Sequence, residues 1–115
     1  MDEFRRAGVN VSVASDNIRD PYRPFGNGDL LEEALFAAQV LQYGTGEQLE
    51  WVMEMVTCNP AKNTLLTDHG LREGCAADLA VLDAPTAKEA IISQSARLFV
   101  LKEGKVVAQN GVLVS

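Results

Sequence analysis

"VSVASDNIRDPYRPFGNG", residues 11–28, opens as an apolar strand and closes as a loop. Val11, Val13 and Ala14 are apolar, but the run stops at Asp16-Asn17 and passes through Arg19, Asp20, two prolines and two glycines. Proline has no backbone N–H and glycine leaves the chain free to turn, so the strand cannot continue through this stretch. A buried strand therefore delivers a carboxylate into a long irregular loop. In α/β folds the carboxyl ends of strands are where ligands and catalytic groups gather. A carboxylate placed there can bind a metal, or take a proton from water and pass it to a leaving group. It can also cap a turn, and spacing alone favours the cap.

Outward from this stretch, residues 2–7 read as a helix end stopped by Gly8, with a short apolar strand over 9–14. After the loop, Asp29 with Glu32 forms a capping-box pattern, and Leu30, Leu31, Ala34, Leu35, Ala38 and Leu41 recur at helical spacing, predicting a helix over 29–43 before Gly44. Thr45 with Gln48 starts a second helix over 46–56. Asn59-Pro60 reads as cap and first-turn proline of a third, over 59–66. The periodicity then changes. Asp78 to Leu82, Arg97 to Leu101, Lys105 to Gln109 and Val112 to Val114 read as strands, with a short helix over 87–93. Asn110-Gly111 predicts a tight hairpin, because both residues tolerate positive φ. The expected division is a helix-strand-helix segment over 1–66 and a hairpin-rich segment over 67–115.

The 115 residues, 47% hydrophobic, have the length and composition of one globular domain. Sixteen acidic against ten basic residues leave a net charge of -6, which opposes binding to nucleic acid or to anionic membranes. No apolar run approaches a membrane span, and Met1-Asp2-Glu3 is acidic where a secretory signal is basic, so a cytoplasmic location is expected. Cys58 and Cys75 form no CxxC unit and read as small buried side chains. The single histidine, His69, reads as a turn residue. Ser12, Ser15, Ser93 and Ser95 have no nearby histidine to activate them, and Glu32-Glu33 and Glu47-Glu50 read as solvated helix faces. One strand between helices has no neighbours for its backbone groups. Either further chain or a partner must supply them.

Ser15-Asp16-Asn17, then Asp20-Pro21-Tyr22 and Pro24-Phe25-Gly26 before a helix, resemble the end of the last barrel strand in cytosine deaminases and their relatives in the amidohydrolase superfamily. "TCNPAKNTLL" (57–66) and "HGLREGCAADLAVLDAP" (69–85) resemble the region where that superfamily leaves its barrel for a small β-sandwich, with Gly70, Gly74, Ala77, Asp78 and Leu79 fitting its glycine-spaced pattern. "LFVLKEGKVVAQNG" (98–111) resembles the closing hairpin. The resemblance implies an α/β fold: a C-terminal fragment of a (β/α)8 TIM barrel, its last strand and helices, followed by part of a small composite β-sandwich.

The resemblance further implies that Asp16 is a metal ligand and the proton shuttle, with Asn17 and Tyr22 lining the substrate pocket. It implies a divalent metal, zinc or iron, in the full-length parent and a small heterocyclic substrate. Asn17 replaces the acidic residue of some cytosine deaminases, which leaves other rings open, triazines of the isopropylammelide type among them. The family's His-x-His, later metal histidines and acid-base glutamate have no counterpart in this sequence. Since a hydrolytic metal site usually needs three or more protein ligands, the chain alone is expected to bind no metal and to be inactive. The competing expectation is a non-catalytic module whose uncovered strand edges and helix faces make it pair with another chain or form a homo-oligomer.

Overall fold

The computed structural model describes residues 1–114; Ser115, the last residue of the expected sheet segment, lies outside them. Among the described residues, five helices and four strands follow one another as α1 (Asp2–Arg6), α2 (Leu30–Leu41), α3 (Gly46–Val56), α4 (Cys58–Asn63), β1 (Leu79–Leu82), α5 (Ala87–Ser93), β2 (Arg97–Lys102), β3 (Lys105–Gln109) and β4 (Val112–Leu113).

Local chemistry explains the helix limits. At α2, the Asp29 side chain accepts from the Leu31 N–H at 2.9 Å. The Asp29 N–H is taken by Asn27 Oδ1 rather than by Glu32, so the expected capping box does not form. The helix stops short of Gly44: Gln42 turns left-handed at φ 57, and the Tyr43 N–H reaches back to the Ala38 carbonyl. At α3 the box is complete, with Thr45 Oγ1 accepting from the Gln48 N–H and Gln48 Oε1 accepting from the Thr45 N–H. The third expected helix is shorter than 59–66, because Leu65 at φ 59 breaks it.

The core lies where α2, α3 and α5 meet. Leu31, Ala34 and Ala38 of α2 face Leu49, Val52 and Val56 of α3 and Ala90 and Ile91 of α5. Alanines on α2 let the backbones approach, and Leu49, Val52 and Ile91 fill the space between them. Outside this cluster, the α1 acidic first turn and basic last turn match the helix dipole. Arg5 lies over the Trp51 ring at 3.4 Å, and Tyr43 donates its hydroxyl to Asp2.

Residues 9–14 are the main departure from expectation. They join no sheet among the described residues. Two of their backbone groups are taken by helices instead: the Val13 N–H donates to the Met55 carbonyl at 2.8 Å, and Asn59 Nδ2 donates to the Val11 carbonyl at 2.9 Å. Asn63 Nδ2 also donates to Ser12 Oγ. Carbonyls in the last turn of a helix have no partner of their own, so the end of α3 can take the N–H that a neighbouring strand would otherwise accept.

The four strands form one antiparallel sheet in the order β1-β2-β3-β4. Glu103-Gly104 and Asn110-Gly111 all carry positive φ, giving the turn geometry that matches strand twist in two-residue hairpins. Bulges interrupt the register at Val81/Leu82 and at Val100/Leu101. Neither cysteine is buried as expected, since Cys58 is exposed and Cys75 half-buried.

Candidate functional site

The loop from Ser15 to Gly28 is built around Asp20, not Asp16. The Asp20 carboxylate accepts the backbone N–H groups of Tyr22 and Arg23, each at 2.9 Å, and the side-chain amide of Asn17. Arg19 Nε donates to the Gly26 carbonyl at 3.3 Å. Gly26 is buried with its Cα against the Ile18 carbonyl oxygen, where a Cβ would overlap that oxygen.

Asp16 stands apart from this network. Its side chain is exposed and, among the described residues, makes no hydrogen bond or ion pair. The turn-capping role that spacing favoured belongs to Asp20, four residues later. Asp16 also holds φ at +54, a left-handed conformation that costs a residue with a Cβ energy the surrounding loop must supply. Left-handed and at the head of a loop, this carboxylate has no ligand from its own loop among the described residues.

The other two candidate residues do not converge on Asp16. Asn17 is half-buried and spends its amide on Asp20; the Tyr22 ring is 90% exposed and only its N–H enters the loop network. A groove of about 330 Å³ opens between α1 and α3, lined by Arg5, Val9, Trp51, Glu54 and Lys62, but none of Asp16, Asn17 or Tyr22 lines it. Two loop partners escaped the sequence reading. Asp20 before proline carries a turn signal that identifies it as a cap. Glu33, expected on a solvated helix face, is 3% exposed and pairs with Arg23.

The Amidohydrolase family model matches residues 1–108 of the chain. The chain belongs to the amidohydrolase family. It is 39% identical over 110 residues to N-isopropylammelide isopropyl amidohydrolase of Pseudomonas sp. (strain ADP), covering 95% of this chain and 27% of that protein. It is 32% identical over 111 residues to a pterin deaminase of Rhizobium rhizogenes, covering 96% of this chain and 25% of that protein. Among solved structures it superimposes on N-isopropylammelide isopropylaminohydrolase of Burkholderia multivorans with TM-score 0.91 at 37% identity, over 96% of this chain and 28% of that one. It matches 5-methylcytosine deaminase of Klebsiella pneumoniae, liganded with phosphonocytosine, with TM-score 0.87 at 36% identity, over 99% and 28%. This amidohydrolase chain thus spans about a quarter of the length of its relatives.

The family is generally metal-dependent, and the residues present fit one share of such a site. Among the described residues, no three His, Cys, Asp or Glu side chains stand close enough to hold an ion. Asp16, unpaired and exposed, fits a single ligand position. Nor is any described helix long and apolar enough to cross a membrane.

Proposed function

We propose that this chain is the C-terminal portion of a metal-dependent hydrolase that removes an amino substituent from an N-heterocycle. Residues 9–14 are then the last barrel strand, and residues 67–115 contribute to the terminal sandwich. The Asp16 carboxylate carries the reading, because it stands at the head of the loop with no local partner among the described residues and so remains available to a proton of the substrate water. A divalent metal, zinc or iron, would acidify water and make it a nucleophile at neutral pH. Asp16 would be one of its ligands; its carboxylate oxygen takes a proton of the attacking water and returns it to the departing nitrogen. Asn17 and Tyr22 border the pocket once the remaining walls are present, the exposed Tyr22 ring offering a face for a flat heterocycle.

The test joins this chain to the N-terminal three-quarters of the Pseudomonas relative and measures amine or ammonia release from N-isopropylammelide, pterin and 5-methylcytosine. Release from at least one is expected, and Asp16→Asn should lower it at least about 100-fold. A folded, metal-loaded graft that acts on none of the three overturns the reading.

A second reading rests on the exposed apolar side chains. Phe36 and Val40, one turn apart on α2, are 60% and 65% exposed, and Val9, Leu65 and Leu66 are also uncovered. Surfaces of this kind drive association. The isolated chain should therefore scatter light as a homo-oligomer at high concentration, and a monodisperse monomer contradicts this.

A further inference from the structure

Glu33 lies on the buried face of α2 with Leu31 and Ala34, an unfavourable place for a carboxylate unless it is paired. Its partner comes from the loop. One guanidinium nitrogen of Arg23 pairs with Glu33, and the other donates to the Ser15 carbonyl at 3.5 Å. Arg23 is held at its backbone too, where its N–H donates to Asp20. Ser15 directly precedes Asp16, so the peptide that sets the Asp16 backbone is tethered through Arg23 to the first turn of α2.

That turn is anchored in its own right. Arg97 at the start of β2 pairs with the N-cap Asp29, and Gln94 donates to the Leu31 carbonyl at 3.0 Å. A continuous path of contacts runs from α5 and β2, through the start of α2, to Glu33, Arg23 and Ser15. It ends at Asp16, which is left-handed and, among the described residues, has no side-chain partner.

We propose that Arg23 and Glu33 are a positioning pair that holds Asp16 in its left-handed, outward-facing conformation. The proposal deepens the reading of Asp16 as the proton-carrying carboxylate and rests on it for its catalytic consequence. Neither residue touches the reacting atoms. The buried carboxylate fixes the guanidinium, and the guanidinium fixes the peptide before Asp16.

Two measurements test it, and they fail separately. In the full chain, backbone NMR order parameters are compared for the unsubstituted protein, Glu33→Gln and the double variant Arg23→Met/Glu33→Met, which removes both charges together and avoids a stranded one. Both variants should loosen residues 15–17 while the α3 amides keep their order; unchanged order at 15–17 overturns the proposal. In the full-length graft, Glu33→Gln should lower kcat by up to roughly 100-fold, with KM and metal content held, as expected for a misplaced catalytic group. The double variant Arg23→Met/Glu33→Met, which also loses the donor to the Ser15 carbonyl, should fall at least as far. If Asp16→Asn inactivates the graft but both pair variants keep full kcat, the proposal is wrong. If the unsubstituted graft is inactive, the hydrolase reading fails and the order at 15–17 alone decides the pair.

Discussion

Gly26 is where the loop folds back on itself, and its missing side chain is what allows the Ile18 carbonyl to come so close. The obstacle to any substituent there is backbone rather than a flexible side chain, so it cannot swing aside. Gly26→Ala should destabilise the chain by about 1–3 kcal/mol, read from the urea midpoint. Asp78 gives a different kind of dependence. The Lys102 ammonium, and next the Glu103 N–H at 2.7 Å, hold its carboxyl below the usual carboxylate value. A depressed folded value means that the contribution is present above the ordinary pKa of about 4 and is lost as pH falls through the folded value. The urea midpoints of wild type and Asp78→Asn should therefore differ at pH 6 and converge in strong acid. Lys102 is raised by the same hydrogen bond, so its contribution persists to its ordinary value and fades as pH rises beyond.

Among the elements, α3 is the best specified by its own residues. Thr45 and Gln48 satisfy each other's backbone N–H groups, and the helix begins where that pair dictates. Thr45→Ala should cost about 1 kcal/mol and fray the first turn, visible as faster amide exchange at residues 47–49. The α2 start shows the limit of such reasoning. Asp29 and Glu32 have capping-box spacing, but Asn27 stands closer to the Asp29 N–H and takes it. The hairpins behave like α3: Asn110-Gly111 forms the turn its composition implies, because positive φ is a property of the two residues themselves. The 9–14 segment behaves oppositely, since strand formation needs a neighbour to exchange hydrogen bonds with, and here Met55 of α3 accepts from Val13 while Asn59 of α4 donates to Val11.

At the scale of the molecule, α5 joins the sheet to the helices. Ile91 is fully buried between α2 and α3, while β1 and β2 on either side of α5 pair with each other. Ile91→Ala should cost about 2–5 kcal/mol and lower the thermal midpoint of helix and sheet signals together, because Leu82 of β1 packs against the same core that Ile91 fills. Separate transitions would show that the sheet stands without the helices.

Patterns that act over a few residues were legible from the amino-acid order: the helical spacing of α2 and α3, the Thr45 box, the two-residue hairpin turn, and the family motifs around Asp16 and Gly70. Each depends on groups within about one turn of each other, so no distant contact is needed to express it. Three outcomes depended on the assembled chain: which aspartate caps the loop, whether Glu33 faces water or core, and whether an apolar run pairs as a strand. Burial and hydrogen bonding for these groups are decided by segments tens of residues away, such as Asn59 against Val11 and Arg97 against Asp29. Their energies exist only once those segments have met.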